Sequence, residues 1–363
     1  MSAQTCYLPT KFVVFSGSDG YYYSMNGTTG KMVYNGSDAA AVINSTLTGA
    51  SGLTSGRTWQ ERVLLKGRFT ITSPIIFTGE TILELDGYVI AGASGFNMLQ
   101  NKNTTTYDDN VIIKGGYWDG NWTANNIIYF EVNTAAPWYR RGNIFKDLVL
   151  KNAAQNGLYI NRLGGDYSSW TINNVQSRSC IRNAFYLYGV NDFTMSDCYE
   201  CAGDYNEAGP ATYATLRIDW GSSGTVTNCY FNAWVYIYSG RELCFSNIFQ
   251  DTTARYNALT LHGVGGCTFT NWRIRAVGSN AYNTKNGVWL ESDGSWGHCT
   301  ENTLSNFVIG RVVGASGTNL FARGINEANA NQDYNLYSNI CALDCSAGNA
   351  ISGSNNEQVN ILP

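Results

Sequence analysis

The sequence predicts an all-β solenoid, a single-stranded parallel β-helix of about ten coils with a short capping helix ahead of it. Three observations predict it. The 363 residues are 44% apolar but only 14% charged, with 39 glycines against 5 prolines, which suits many short strands and turns and excludes collagen and disordered chains. A set of β-rich segments recurs at irregular intervals of about 19 to 35 residues, each interrupted by one Asn, Asp or Gly. Between these segments runs a second strand whose apolar residues alternate with period two. No helical crossover separates the strands, so stacking successive coils is the simplest way to pair every strand edge over one continuous core.

In chain order, residues 1–60 form a leading module. Two strand-like runs lie between 12 and 36, and Ser37 or Asp38 can N-cap a short helix over Ala39 to Leu47. That helix is expected to lid the open edge of the first coil. The β-helix proper is expected over 61–345, with a Ser/Asn/Gly-rich cap or tail at 346–363. The interrupting residues align as Gly116, Asp147, Asn174, Asp197, Asn228, Asn247, Asn271, Asn306 and Asn339. These residue types tolerate a left-handed bend, and stacked asparagines can hydrogen-bond the coils above and below. The second strands are 156–160, 183–187, 214–218, 233–237, 257–261 and 286–290, with inward pairs from Leu158/Ile160 to Val288/Leu290. Ten cysteines in so long a chain are not a small-domain disulfide framework; Cys198, Cys229 and Cys244 are expected in or near the core.

VLLKGRFTITSPIIF (63–77), TILELDGYVI (81–90), GGYWDGNW (115–122) and the strands from NGLYI to NGVWL resemble the right-handed parallel β-helix group. That group includes pectate-lyase-like and polygalacturonase-like proteins and viral tailspikes. The resemblance covers roughly 60–345 and implies polysaccharide as the partner. The chain departs from the polygalacturonase pattern: its Asp-Asp pair occurs only at Asp108-Asp109, TLHGVGG (260–266) lacks Gly-His-Gly, and NGVWLES (286–292) carries Trp-Leu-Glu in place of Arg-Ile-Lys. Asp119, in GGYWDGNW, reads as a turn-closing residue.

Chemistry is expected on the outward side of the second strands, where neighbouring coils repeat every ~4.8 Å and suit a long polymer. The ladder there is Tyr159, Tyr186, Arg217, Tyr236 and Trp289, and just past the strands come Asn161, Tyr188, Asp219, Tyr238, His262 and Glu291. Aromatic faces can stack on sugar rings while amides, acids and arginine bind hydroxyls or uronate carboxylates. Asp219, followed by Trp220, is the preferred catalytic carboxylate, with Asp204 or Glu207 of the 201–212 loop as hydrolytic partner, since Asp219 and Glu291 are three coils apart. A uronate lyase would instead use His262 or Tyr238 as base and Arg217 as neutraliser. No cofactor is implied; Ca²⁺ at Asp108, Asp109 and Asn110 is the single metal candidate.

The expected function is binding and degradation of an extracellular polysaccharide. The alternative is a non-catalytic structural or adhesive β-helix, a virion spike or filament subunit that self-associates as a homotrimer or filament. A net charge of −4 leaves no basic footprint for nucleic acid, and no apolar run is long enough to cross a bilayer. The expected location is extracellular or on a virion surface, although the opening residues carry no apolar signal region.

Overall fold

The computed structural model describes residues 9–362 apart from 105–107, 133–141, 163–168, 202–213, 253–256, 277–284, 293–296, 312–320, 330–331, 344, 346–348 and 354. Each coil runs through two legs of one sheet, bends between them, and returns through a third leg in a second, ten-stranded sheet. Asn143–Lys151, Trp170–Arg178, Cys244–Thr252, Thr268–Ala276 and Thr303–Arg311 are such bent strands, and each pairs in parallel with a neighbouring coil. The chain is therefore a parallel β-helix.

The bend residues do what their chemistry allows. Asp147, Asn174, Asp197, Asn228, Asn247, Asn271, Asn306 and Asn339 have φ between 51° and 57°, a region that costs other L-residues about 1–2 kcal/mol. From Asn247 through Asn271, Asn306 and Asn339 to Asn360, each Nδ2 donates to Oδ1 of the bend residue one coil earlier at 3.0–3.2 Å. One alignment needs correcting. Lys146 pairs with Lys114 and Val149 with Tyr117, so Gly115, not Gly116, stands opposite Asp147. Two successive positive-φ glycines made the one-residue slip invisible in sequence.

The expected inward pairs from Leu158/Ile160 to Val288/Leu290 are all fully buried. Their neighbours across the core are stacked aromatics, such as Phe145 on Trp170 and Trp272 on Phe307. A second asparagine ladder is buried at the start of the third leg: Asn126 donates to Asn97 at 2.8 Å, Asn156 to Asn126 at 2.7 Å, and Asn183 to Asn156 at 2.8 Å. Cys198 and Cys229 are buried as expected, but Cys244 is exposed. It lies two residues further from the bend than those cysteines' equivalent, Ile248, and shares an outward row with Thr225 and Thr268. Among the described residues Glu327, in register with Leu290, and Glu200 are inward acids; Glu200 is 1% exposed, and its Oε2 accepts from Asn232 N at 2.9 Å and Thr215 Oγ1 at 3.2 Å.

At the N-terminal end, Thr10–Ser16 pairs in parallel with Glu61–Ile71 and antiparallel with Tyr22–Asn26, which pairs antiparallel with Met32–Gly36. The helix Ala39–Thr48 is N-capped by Asp38, which accepts from Ala41 N at 3.2 Å. Asn44 of that helix accepts from Ile76 N at 2.7 Å and donates to Pro74 O at 2.8 Å, closing the first edge of the ten-stranded sheet. Within the segment expected as a cap or tail, Glu357–Leu362 instead adds a further parallel strand beside Leu336–Ala342.

Candidate functional site: an axial lane on the third leg

Third-leg strands Leu158–Arg162, Phe185–Tyr188, Leu216–Asp219, Val235–Tyr238, Leu259–His262 and Asn286–Glu291 pair without a slip. The register places Tyr159, Tyr186, Arg217, Tyr236, Thr260 and Trp289 in one outward row. It places Asn161, Tyr188, Asp219, Tyr238, His262 and Glu291 in the row beside it, where each strand ends. Trp220 follows at φ 61° with its ring edge-on to Tyr238. Asp204 and Glu207, with most of the loop that carries them, lie outside the described residues.

The centre of the lane is an ion-paired knot. Arg217 Nε lies 3.1 and 2.9 Å from the two Asp219 oxygens and Nη2 2.8 Å from Oδ2, while Tyr186 Oη donates to Oδ2 at 2.8 Å. Asp219 is 3% exposed. The guanidinium lies between two rings, 5.1 Å from Tyr186 and 5.4 Å from Tyr236. Burial works against the charge on Arg217, but Asp219 more than restores it, so its pKa is raised. Burial also pushes the Tyr159 phenol up to about 12 and raises those of Tyr186 and Tyr236, helped by the Asp219 charge. These hydroxyls are protonated donors at neutral pH.

The ring faces were to receive sugars, yet Tyr159 and Tyr186 stack on each other at 4.5 Å with planes 7° apart, and Arg217 covers Tyr186 and Tyr236. The coil spacing is close to ring-stacking distance, so the rings satisfy one another. What the row offers a ligand is ring edges and hydroxyls, and in the neighbouring row Tyr188 and Tyr238 meet other rings edge-on.

Further along, His262 Nδ1 lies 3.1 Å from Glu291 Oε1 and 3.3 Å from Tyr236 Oη, with the Tyr238 ring edge-on at 4.9 Å. Trp289 Nε1 donates to Glu291 Oε2 at 2.9 Å. A carboxylate on Nδ1 fixes the proton there, and Nε2 is buried. Asp219 and Glu291 stand three rungs apart, roughly 14 Å, beyond the ~9.5 Å upper limit for a hydrolytic pair.

The register also extends the lane to residues missed in sequence. Tyr129 pairs with Tyr159 and Glu131 with Asn161, and Tyr129 Oη donates to Glu131 Oε2 at 2.7 Å. Ile127 follows Asn126, where Gly or Ala follows Asn156, Asn183, Asn257 and Asn286, which hid this strand; its period-two alternation was the available signal. The pairings of Tyr129 with Gln100 and of Phe77 with Asn101 continue the lane to Lys102 and Thr78.

The Tyr–acid–cation knot is not unique to the lane. On the second leg, Tyr230 Oη donates to Asp251 at 2.7 Å, Arg275 Nε donates to Asp251 at 2.6 Å, and Arg275 covers Phe249 at 4.4 Å. Tyr88, Asp119 and Lys151 repeat it nearer the N-terminus, where Lys151 Nζ is 3.0 Å from Asp119. Asp119 also accepts from Asn121 N at 2.9 Å, the turn closure expected of it. Asp108, the calcium candidate, takes donors from Gly79 N, Asn103 N and Asn103 Nδ2 at 2.7–2.9 Å. Among the described residues no three His, Cys, Asp or Glu side chains converge as a metal site.

These features define a right-handed parallel β-helix protein carrying an exposed lane of aromatic, acidic and basic side chains along its axis. Among solved structures, it is similar to the A-module of the Azotobacter vinelandii mannuronan C-5 epimerase AlgE4 (TM-score 0.60, 10% identity, covering 88% of this chain and 95% of that one). It is also similar to the A-module of AlgE6 from the same organism (TM-score 0.52, 12% identity, covering 90% of this chain and 96% of that one). At these identities the likeness is one of fold. No protein-family model matches the chain, and no curated protein sequence matches it.

Proposed function

We propose that the protein binds an extended polysaccharide along the third-leg lane and cleaves it by elimination at Tyr238 and His262. The observation that carries this reading is the unbroken register Asn161, Tyr188, Asp219, Tyr238, His262, Glu291, which sets hydrogen-bonding and ring groups at one-rung spacing beside a polymer. Elimination is favoured over hydrolysis because the lane's described carboxylates are too far apart to work as a pair. It needs a base beside a cation. Tyr238, with His262 beside it, takes the C-5 proton next to a uronate carboxylate that Arg217 faces one rung from Tyr238; the C4–C5 double bond forms as the C4–O bond breaks, and the departing oxygen takes a proton from the protonated base or water. Asp219 then acts as a positioning residue that holds Arg217 and Tyr186, as Asp251 holds Arg275 and Tyr230 elsewhere. The two fold neighbours, named as mannuronan epimerases, put mannuronan on the list of substrates to try.

The test is a panel of mannuronan, polygalacturonate and neutral glucans, read for binding, new reducing ends, unsaturated uronate and change of C-5 configuration. Wild type is expected to bind a uronan and release unsaturated ends; Tyr238→Phe or His262→Gln should lower the rate at least ~100-fold with binding retained. New reducing ends without unsaturation would replace elimination by hydrolysis. Absence of binding across the panel would overturn the reading, leaving a structural or adhesive β-helix, which the self-satisfied ring stack also suits.

A further inference from the structure

The lane does not run off the N-terminal end of the solenoid. Its first two positions, Thr78 and Lys102, line a cavity of about 600 Å³. The opposite wall comes from outside the coils: Leu47 and Thr48 at the end of the helix, and Leu53 and Ser55–Thr58 in the segment that follows. This volume suits one or two sugar rings rather than a through-going chain.

The wall is built. Arg57 donates to the carbonyls of Thr54, Gly79 and Glu80 at 2.8–3.0 Å and to Thr78 Oγ1 at 3.0 Å, which pins the segment over the first coil. The remaining lining combines groups that pair with sugar hydroxyls, Ser55, Thr58, Lys102 and Asn103, with the acids Glu80, Asp108 and Asp109. Next to Thr58 is Trp59, 56% exposed. Among the described residues its ring stacks on no other ring, unlike the lane tyrosines, so it keeps a free face for a pyranose.

We propose that this cavity receives the terminal sugar of the polysaccharide chain, so that the lane engages glycans from one end. The inference rests on the lane reading. Lys102 and Tyr238 are five rungs apart, roughly 24 Å, so the terminal sugar and the cleavage point would be separated by only a few sugars. The direct consequence is recognition of chain ends and release of short products of uniform length.

The probes are linear hexasaccharides of mannuronate, galacturonate and glucose, each free or carrying a bulky fluorophore at one end or the other, together with the parent polymers. Ser55 is exposed, so Ser55→Trp fills the cavity without touching the core; Thr58→Glu is a second variant, on the covering segment and outside the lane. Expected is at least a tenfold loss of affinity for a free hexasaccharide in Ser55→Trp, an equal loss when one particular end is blocked, and polymer binding within twofold of wild type. Uniform short products should give way to a random size distribution. If wild type binds polymer while hexasaccharide affinity ignores both variants and both end blocks, the cavity proposal is wrong and the lane stands. If neither hexasaccharides nor polymers bind, both fall together.

Discussion

Replacing Glu200 by Gln should stabilise the protein, and by an amount that depends on pH. Glu200 lies on the inward row of the second leg, in register with Ser177 and shielded from water, with two hydrogen-bond donors and, among the described residues, no cation beside it. Burial pushes its carboxyl from 4.5 up to about 7. Because the folded-state value is raised, the folded protein holds the proton where the unfolded chain has lost it, and stability falls as pH rises from about 4.5 to about 7. A tenfold difference in proton affinity is worth about 1.4 kcal/mol, so the interval costs roughly 3 kcal/mol, fully present above about pH 7 and absent below about pH 4.5. Glutamine keeps an acceptor for Asn232 N and never ionises. Urea midpoints of wild type and Glu200→Gln, measured near pH ~4 and pH ~8.5, should differ little at the lower pH and by up to about 3 kcal/mol in favour of the variant at the higher. Other titrating groups cancel in the comparison. A variant advantage equal at both pH values, or none at either, would refute the assignment of a buried, water-excluded acid.

Arg217→Met strands Asp219 at 3% exposure without its counter-ion and should cost about 3–5 kcal/mol, while Arg217→Met with Asp219→Leu should recover much of that loss in the same urea titration. Trp272→Ala empties a fully buried site between Phe245 and Phe307 and removes the donor to Gln250 Oε1, a loss of about 3–5 kcal/mol by thermal or urea unfolding. Asn271→Ala puts an alanine at φ 54° and breaks the bonds to Asn247 and Asn306, costing about 2–3 kcal/mol; Asn271→Gly should cost less, since it relieves the backbone but not the ladder. Equal losses for Ala and Gly there would mean that backbone conformation contributes nothing at the bend.

Much of the architecture is written in short-range pattern. Asn271 between Phe269 and Trp272 announces a bend because its side chain tolerates positive φ and its neighbours must point inward, and the same local logic repeats at Asn228, Asn306 and Asn339. The runs Leu216/Ile218 and Val235/Ile237 declare their buried face by alternation alone. Where the local signal was doubled or altered, the pattern misleads: at Gly115-Gly116, where two residues could carry the bend, at Cys244, whose small apolar side chain stands one place before the buried Phe245, and at Tyr129 and Glu131, whose strand opens on Asn-Ile.

The sequence by itself determined that the chain winds, which side of each strand is dry, and which residue types line the outside, because backbone bend tolerance and period-two burial are properties of a few consecutive residues. Only the tertiary structure decided which outward residues share a rung. The connecting loops vary in length, so register is set by parallel pairing and core packing between coils rather than by spacing along the chain. That same stacking brought Tyr159 onto Tyr186, laid Arg217 between two rings and against Asp219, and carried the lane up to Lys102 beneath a wall contributed by Ser55–Thr58. Ring faces and carboxylates that look available one strand at a time are consumed by their neighbours once the coils sit about 4.8 Å apart.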